Sequence, residues 1–321
     1  MKKYFTLSLI GIACILICFC CTKKEEKSSF KVIGYILNNH VDTARINFDH
    51  LTHINYSFAI PASDSGHVLL NDRGHLQMLV TKAHQRGKKV FLSIGGWWIG
   101  DEPGDDARFH RMAAKQEFRN TFVNESLSLA KEFDLDGIDV DWEYPDGDNS
   151  SYQDYILLMR QLADSLHSRK LEISAAVVSH GPHAAGISPE IFEIVDWLNL
   201  MAYDDDNGKW IPHSPYSLAE ETIDFWVNEK KLPANKAVLG LPFYGKPWHH
   251  ISDYKDLLKA GADPNSDQFD SVFFNGIKTI KDKTNLALQE KLSGVMIWEI
   301  SQDTVGEHSL LKAIQTAVAS K

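Results

Sequence analysis

Cysteine and long apolar runs are both confined to the start of the chain. The four cysteines of the 321-residue sequence are Cys14, Cys18, Cys20 and Cys21. The rest of the chain therefore cannot form a disulfide bond within itself. The one long apolar run extends from Phe5 to Cys21, and no comparable run follows it. A chain of this length and ordinary composition otherwise suits one large α/β barrel or two mid-sized domains.

Signals of several other functional classes are also missing. No basic stretch is interleaved with aromatic residues, so nucleic acid is not expected as a partner. No Gly-rich phosphate turn follows the first predicted strand, and no Ser-His-Asp arrangement occurs at a nucleophile elbow. The histidine clusters His249-His250 and His180 to His183 have no clear acidic partner pattern, so we interpret them as surface loops rather than metal sites. We therefore expect no cofactor and no bound metal.

The first 21 residues have the pattern of an export signal. Lys2 and Lys3 precede the apolar run, and the sequence becomes abruptly charged after Cys21. An apolar run that ends in cysteine before a polar linker resembles a bacterial lipoprotein signal, with Cys21 as the lipidated residue. An uncleaved anchor helix and an ordinary cleaved signal are the alternatives. We expect an exported, lipid-anchored protein on the bacterial outer membrane, facing either the periplasm or the cell surface.

The remainder of the chain is predicted to be a short tether, residues 22–29, and one catalytic domain, residues 30–321. No long linker or internal repeat divides the second segment. Removal of residues 1–20 takes away Lys2 and Lys3 and no acidic residue, so the formal net charge of −10 becomes −12. This total carries no catalytic information. We expect the domain to be a monomer.

Short apolar runs alternate with amphipathic segments along the predicted domain. Eight of the runs are predicted to be β-strands, at residues 32–36, 53–59, 89–94, 136–143, 171–178, 195–203, 237–244 and 294–300. Helices are predicted at residues 76–85, 118–133, 150–166, 218–230, 275–291 and 309–318. Eight strands that alternate with helices favour a (β/α)8 TIM barrel of the α/β class over a doubly wound open sheet.

The fourth predicted strand carries three carboxylates in alternation. Side chains two residues apart on a strand share one face, so Asp139, Asp141 and Glu143 should project together. The residues between them are apolar and should face the opposite way. Adjacent carboxylates repel one another and are costly to bury, so a strand that served only stability would not carry three. An exposed edge strand is the alternative, and the flanking apolar residues disfavour it.

Aromatic or polar residues end nearly every predicted strand, which is where the active sites of (β/α)8 barrels lie. These residues are Tyr35, Phe58, Trp97, Glu143, Tyr203 with Asp204, Tyr244 and Trp298. Any one of the aromatic side chains could equally belong to the core, but their repeated placement at one end of the barrel indicates an aromatic cleft. Such a cleft suits the apolar faces of sugar rings, with carboxylates to cleave the bonds between them.

Glu143 is the candidate proton donor because it is the outermost of the three carboxylates and the longest. A neighbouring carboxylate and partial burial both raise the pKa of a carboxyl group, which keeps it protonated near neutral pH. Residues two apart on a strand have backbones about 6.6 Å apart. This distance lies between the carboxyl separations of retaining and inverting glycosidases, so spacing alone leaves the stereochemistry open.

Five motifs together resemble glycoside hydrolase family 18, the chitinases and their relatives, over residues 31–320. They are Asp136-x-x-Asp139-x-Asp141-x-Glu143, Ser93-Ile94-Gly95-Gly96, Met201-Ala202-Tyr203-Asp204, Leu241-Pro242-Phe243-Tyr244-Gly245 and Gly294-Val295-Met296-Ile297-Trp298-Glu299. The resemblance implies hydrolysis of β-1,4-linked N-acetylglucosamine polymers, chitin or its oligosaccharides. It also implies a retaining mechanism in which the acetamido oxygen of the substrate is the nucleophile.

The resemblance implies a role for each motif residue. Glu143 would be the general acid/base, Asp141 would orient and stabilise the oxazolinium ion, and Asp139 would share its charge or proton. Tyr203 and Asp204 would hold the acetamido group, and Trp298 would form the floor under the sugar at the cleavage point. The remaining substrate-binding candidates are Tyr35, Phe58, Gly96, Trp97, Tyr144, Met201 and Tyr244. Asp136, on the other face of its strand, is interpreted as structural support.

The sequence differs from the family pattern in the region before the last strand. Lys246 stands where many family members have arginine, and Trp210 is the candidate match for a tryptophan of the cleft. Residues 246–293 are too few for the α+β insertion domain that deepens the cleft in many relatives. We therefore expect a shallower, more open groove, suited to endo action or to short substrates.

Two other functions are compatible with the sequence. A non-catalytic sugar-binding relative would typically lack the acid at the Glu143 position, and Glu143 is present. A hydrolase of the same family that cleaves N-linked glycans or peptidoglycan is the second alternative. The sequence Trp142-Glu143-Tyr144-Pro145 is chitinase-like but does not exclude it.

Overall fold

Eight parallel strands close into a barrel in the computed structural model of the protein. The structure describes Met1 and residues 30–62, 65–148, 150–206, 209–247 and 251–320. The barrel strands are β1 (Lys31–Leu37), β2 (His53–Pro61), β3 (Lys89–Gly95), β4 (Gly137–Asp141), β5 (Glu172–Val178), β6 (Trp197–Met201), β7 (Ala237–Pro242) and β8 (Gly294–Trp298). Each pairs with the next in parallel, and β1 pairs with both β2 and β8, so the sheet has no open edge within the barrel. The predicted (β/α)8 barrel is confirmed, and the doubly wound open sheet is excluded.

Nine α-helices occur in the described part of the chain, and most pack around the outside of the barrel. They are α1 (Arg73–His84), α2 (Ala107–Ala114), α3 (Gln116–Phe133), α4 (Ser151–His167), α5 (Pro189–Ile194), α6 (Tyr216–Ile223), α7 (Tyr254–Lys259), α8 (Ile277–Gln289) and α9 (Leu310–Ala319). The predicted helix 218–230 is α6 followed by one π-helical segment, Asp224–Glu229. Helices α2, α5 and α7 were not predicted, because six to eight residues give too short an apolar period to recognise.

The two faces of β4 enter different parts of the core, as the alternation predicts. Ile138, Val140 and Trp142 are buried between the barrel and its helices. A separate apolar cluster fills the barrel interior, with Phe91 and Trp197 at 5.3 Å between ring centroids. Because β4 is covered on both faces, the alternative of an exposed edge strand is wrong.

The chain between β7 and β8 adds only small elements in its described part. They are α7, α8 and two antiparallel strand pairs, Tyr244–Gly245 with Ser252–Asp253 and Gln268–Phe269 with Val272–Phe273. The described residues form no α+β insertion domain here, which confirms the expected fold. A further short strand, Val68–Leu70, pairs antiparallel with the end of β2 and was not predicted.

Several predictions fall on residues outside the described ranges. They concern the signal segment with Cys21, the tether and His249-His250, and the structure does not test them. Within the described ranges, no helix combines the length and the apolar character needed to cross a bilayer.

A buried lysine anchors the loop that follows β6. The ammonium of Lys283 on α8 is fully buried and donates to the carbonyl oxygen and Oγ of Ser214, both at 2.7 Å, and to Oδ1 of Asn275 at 2.8 Å. Ser214 Oγ in turn donates to the carbonyl oxygen of Ala202 at 2.7 Å. Helix α8 is thereby tied to the end of β6, immediately before Tyr203. Burial lowers the pKa of Lys283 to about 7.

We expect Lys283→Met to change how stability depends on pH. Between about pH 7 and about pH 9 the unfolded chain keeps the Lys283 proton, because its pKa there is about 10.4, and the folded chain releases it. The unfolded state then binds more protons than the folded state. As the pH rises, the free energy of unfolding of the wild-type protein should therefore increase relative to that of the variant, by up to about 1.4 kcal/mol per pH unit. Below about pH 7 both states are protonated and the difference should level off.

Urea denaturation of both proteins across this pH range measures the difference. Lys278→Met, on the exposed face of the same helix, is the control and should show no such pH dependence. A difference that stays constant, or that shrinks as the pH rises, would contradict a buried lysine with a lowered pKa.

Candidate active site

The three carboxylates of the fourth strand lie at increasing height towards the carboxyl end of the barrel. Asp139 is fully buried inside it, and Asp141 ends β4 and is 3% exposed. Glu143 follows two residues later, and both Asp141 and Glu143 line a cavity of about 950 Å³ at the barrel mouth. The predicted sharing of one face is confirmed. Asp136 lies at the start of the strand, where its carboxylate accepts hydrogen bonds from Val90 N and His84 Nε2.

The Asp139 carboxylate accepts four hydrogen bonds from four other strands. Tyr35 Oη and Ser93 Oγ donate to Oδ2, both at 2.7 Å, while Ser174 Oγ and Asn199 Nδ2 donate to Oδ1 at 2.6 and 3.1 Å. Ser93 and Ser174 are the register partners of Asp139 on β3 and β5, so their hydroxyls are at the same level. Burial raises the pKa of Asp139, and the four donors oppose that rise because they favour the charged form.

Asp141 combines burial with an unused acceptor. Burial raises its pKa well above the usual range, and the charges of Glu143 and Asp139 raise it further. Its Oδ1 atom has no hydrogen-bond partner among the described residues. A buried acceptor that the fold leaves unpaired on a cavity wall is available to a bound molecule.

Two glycines hold the backbone of Asp141 against β3. Gly96 N donates to the carbonyl oxygen of Asp141 at 2.8 Å. A Cβ on Gly95 would lie 2.0 Å from that oxygen, and Gly95 has a φ of +129°, so only glycine fits. The Gly95-Gly96 pair therefore lets β3 and β4 approach closely just below the cavity.

Glu143 has the electrostatic properties that a general acid needs. Burial raises its pKa to about 7, a hydrogen bond from Tyr144 opposes the rise, and the charge of Asp204 adds to it. At neutral pH the carboxyl group is therefore close to half protonated, which suits both donation and acceptance of a proton.

Aromatic side chains form the walls of the cavity around the two carboxyl groups. The lining includes the predicted residues Tyr35, Phe58, Trp97, Tyr144, Met201, Tyr203, Asp204 and Trp298. The Trp298 ring is stacked on Phe58 at 5.6 Å and is tilted against Tyr35 at 5.8 Å between centroids. These rings give a rigid apolar surface beside the carboxyl groups, as the aromatic strand ends predict.

Gly96 and Tyr244 do not line the cavity, although both were predicted to bind substrate. The Phe58 ring occupies the space beside Gly96, where a Cβ would lie 2.8 Å from a ring carbon. Tyr244 is fully buried behind Tyr203 and His213, with centroids 6.2 and 5.0 Å away. Both residues are corrected from substrate contacts to supports for the residues that form the wall.

Asp204 lies in a small ionic network on the cavity wall. Its carboxylate is 3.3 Å from both His213 Nδ1 and Lys246 Nζ, and Lys246 also contacts Asp206 at 3.1 Å. Although burial acts in the opposite direction, His213 and Lys246 lower the pKa of Asp204, so it stays ionised. Lys246, which stands in place of the family's arginine, lines the cavity. Trp210 donates its indole N–H to Ser271 O and is not among the lining residues.

The cavity also contains residues for which no binding role was predicted. Asn38, His40, Glu299 and Gln302 lie at the end formed by β1 and β8, and Trp98, His180 and His183 lie beyond β3 and β5. They belong to loops after strand ends, where no periodic pattern marks them. No group of three or more histidine, cysteine, aspartate or glutamate side chains in the described ranges is arranged to hold a metal ion.

Comparisons with known proteins agree with this geometry. A family model described as "Glycosyl hydrolases family 18" matches residues 31–303. Chitinase 1 of Aphanocladium album is 29% identical over 309 residues, which cover 76% of this chain and 69% of that protein, so the chain spans about two thirds of its length.

Two solved structures have the same fold. The chitinase ChiB from the chitin utilization locus of Flavobacterium johnsoniae has a TM-score of 0.80 at 28% identity, covering 91% of this chain and 95% of that one. A chitinase-like agglutinin of Robinia pseudoacacia has a TM-score of 0.78 at 24% identity, covering 89% of this chain and 98% of that one. At that identity the second likeness concerns the fold alone.

The negative charge of Asp204 should have a measurable effect on the pKa of Glu143. We expect Asp204→Asn to lower the pKa of Glu143 below its value of about 7, because a nearby negative charge that disfavours ionisation is removed. Carbon-13 NMR titration of protein labelled at the glutamate carboxyl carbons measures this pKa, with Glu143→Gln used to assign the resonance. An unchanged or raised titration midpoint in Asp204→Asn would show that the two carboxylates are not coupled.

Proposed function

The chain belongs to family 18 of the glycosyl hydrolases and is a glycosidase of the chitinase type, and we propose that it cleaves β-1,4 linkages between N-acetylglucosamine units of chitin or chito-oligosaccharides. The observation that carries the proposal is the position of Glu143. Its carboxyl group has a pKa of about 7 and lies on the wall of an aromatic cavity beside Asp141. Aromatic walls suit the apolar faces of sugar rings, and a carboxyl group of this pKa suits proton transfer to the glycosidic oxygen.

In the proposed first step, Glu143 donates its proton to the glycosidic oxygen as the bond from that oxygen to the anomeric carbon breaks. The acetamido oxygen of the same sugar forms a new bond to the anomeric carbon, which gives a cyclic oxazolinium ion and a free alcohol as leaving group. In the second step, ionised Glu143 takes a proton from water as the water oxygen attacks the anomeric carbon and opens the ring. Two displacements at one carbon retain the β configuration.

Asp141 is proposed to orient the acetamido group. The N–H of that group carries increasing positive charge as the ring closes, and the unpaired Oδ1 of Asp141 is the acceptor that the cavity offers it. Tyr203 and Asp204, which follow β6, would hold the acetamido group from another side. Asp139 would adjust the charge of Asp141 from below, and Trp298 would form the floor under the sugar.

The described residues between β7 and β8 form no insertion domain, which favours an open groove, and we propose endo cleavage or action on short oligosaccharides. The two other family functions make different demands. A sugar-binding protein without activity needs no carboxyl group of raised pKa, so the raised pKa of Glu143 argues against this function. N-linked glycans and peptidoglycan contain the same sugar, and product analysis on fragments of each beside chito-oligosaccharides separates these substrates.

We expect Glu143→Gln to abolish hydrolysis and leave binding intact. Glutamine keeps the shape of the side chain but cannot transfer a proton. The kcat on chitotetraose should therefore fall by about 10²–10⁴-fold or more. The Kd for the same oligosaccharide, measured by calorimetry, should change little. Glu307→Gln, at an exposed glutamate outside the cavity, is the control and should retain full activity. Substantial turnover by Glu143→Gln would refute the assignment of the acid.

For the start of the chain, we propose export and lipid attachment at Cys21. The apolar run, the cysteine and the charged segment after it support this. Expression of the full chain in a bacterial host with radiolabelled palmitate should label the wild-type protein and not Cys21→Ser. Equal labelling of the two proteins, or none of the wild type, would contradict the proposed anchor.

A further inference from the structure

An aspartate and a histidine outside the cavity contact Trp142, the residue between Asp141 and Glu143. Trp142 is 2% exposed, and its indole N–H donates to Oδ2 of Asp106 at 2.8 Å. Asp106 directly precedes α2, and His110 lies one turn later on that helix, with its Nε2 3.1 Å from the same Oδ2 atom. A carboxylate only accepts hydrogen bonds, so this oxygen receives both the indole and the imidazole proton.

The ring of Trp142 is also enclosed by other rings. It is stacked on Phe109 at 4.9 Å between centroids, with 8° between the ring planes. His110 approaches it edge-on at 5.1 Å and 88°, and Tyr155 of α4 does so at 5.6 Å and 85°. Close packing on three sides together with the hydrogen bond to Asp106 fixes the orientation of the indole.

His110 also contacts the chain that follows Glu143. Its Nδ1 lies 3.3 Å from Ser151 Oγ, which accepts a hydrogen bond from Asp146 N at 2.8 Å. Its Nε2 lies 3.6 Å from the Asp146 carboxylate. The hydrogen bond to Asp106 raises the pKa of His110 and the charge of Asp146 adds to the rise, although burial opposes it. The chain on both sides of Glu143 is therefore connected to one side chain of α2.

None of these contacts involves the cavity itself. Asp106, His110 and Trp142 are absent from its lining, so they do not touch a bound sugar. Glu143, by contrast, lines the cavity and is joined to Trp142 by a single peptide bond. A general acid must lie within hydrogen-bond reach of the atom that it protonates, and a small misplacement is costly in rate. Contacts that fix Trp142 from behind the wall therefore bear on proton transfer.

We propose that Asp106 and His110 are positioning residues for Glu143. By fixing Trp142 before it and Asp146 after it, they set the position of the carboxyl group that protonates the glycosidic oxygen. The inference rests on the proposed hydrolysis of N-acetylglucosamine oligosaccharides, and it extends the machinery of proton transfer to helix α2.

The dependence of the rate on the leaving group separates positioning of the acid from a merely structural role. Cleavage of chitotetraose releases a sugar alcohol, whose oxygen must be protonated as the bond breaks. In the dinitrophenyl glycoside of chitotriose the aryl group replaces the fourth sugar, and it departs as a stable phenolate that needs no proton. A misplaced acid should lower kcat/KM on chitotetraose alone. A general loosening of the fold should lower kcat/KM on both substrates.

Two substitutions remove the contacts in different ways. Asp106→Ala deletes the shared acceptor, whereas His110→Phe keeps a ring beside Trp142 and loses the hydrogen bonds of the imidazole. We expect each to lower kcat/KM on chitotetraose by about 10- to 100-fold, and to leave kcat/KM on the aryl glycoside within about twofold of wild type. Asp106→Asn keeps an oxygen acceptor and should recover most of the loss. Glu143→Gln should show the same selectivity for the leaving group with a larger loss.

A second histidine provides a matched control. His167 Nε2 also lies 3.1 Å from an aspartate, Asp196, but this aspartate directly precedes β6 at the amino end of the barrel. His167→Phe should therefore leave kcat/KM on both substrates unchanged. The thermal midpoint of unfolding is measured for every variant, so that rates refer to folded protein.

The two proposals can fail separately. If the wild-type protein cleaves both substrates and the variants at Asp106 and His110 lose both activities equally, or lose neither, the positioning role is refuted and the proposed function stands. If the wild-type protein cleaves neither substrate, the proposed function fails and the inference fails with it.

Discussion

The buried carboxylate of Asp139 is the interaction on which the rest of the site depends. A carboxylate inside a barrel is costly unless hydrogen bonds replace the lost water. Here they come from Tyr35, Ser93, Ser174 and Asn199, which lie on β1, β3, β5 and β6. Four of the eight barrel strands thus donate a hydrogen bond to this one carboxylate. Any shift in strand register would leave a buried charge unsatisfied, so the same contacts that make Asp139 tolerable also fix the height of the strand that carries Asp141.

The carboxylate of Asp139 influences the carboxyl group of Asp141 above it. Asp141 lies between Asp139 and Glu143, and burial together with the charges of these two neighbours raises its pKa well above the usual range. Glu143, at the open end, has a pKa of about 7 and exchanges its proton readily. From the barrel interior to the cavity mouth, the role of the carboxyl groups thus changes from structural, at Asp139, to reactive, at Glu143. On the part of the wall that follows β6, Asp204 stays ionised because His213 and Lys246 are close to it.

Sequence patterns that depend on local geometry were sufficient for the fold and for much of the site. The period of two on β4 identified the faces of Asp139 and Asp141, and the order of strands and helices identified the barrel. Gly96 and Tyr244 show where this reasoning ends. Alternation tells which way a residue points but not whether another ring, here that of Phe58 or Tyr203, lies between it and the cavity. Side-chain contacts between residues far apart in the chain could not be predicted either, because no local pattern connects them. The hydrogen-bonded pair His40 and Glu299, separated by 259 positions, is an example.

Substrate-assisted retention leads directly to a stereochemical result. Proton NMR of the anomeric signals during the first minutes of chito-oligosaccharide hydrolysis distinguishes the configuration of the new reducing end before it equilibrates. Two displacements, by the acetamido oxygen and then by water, predict that the β-anomer appears first and the α-anomer only later through mutarotation. Initial formation of the α-anomer would require a single displacement by water, and it would contradict the roles given to Asp141 and Glu143.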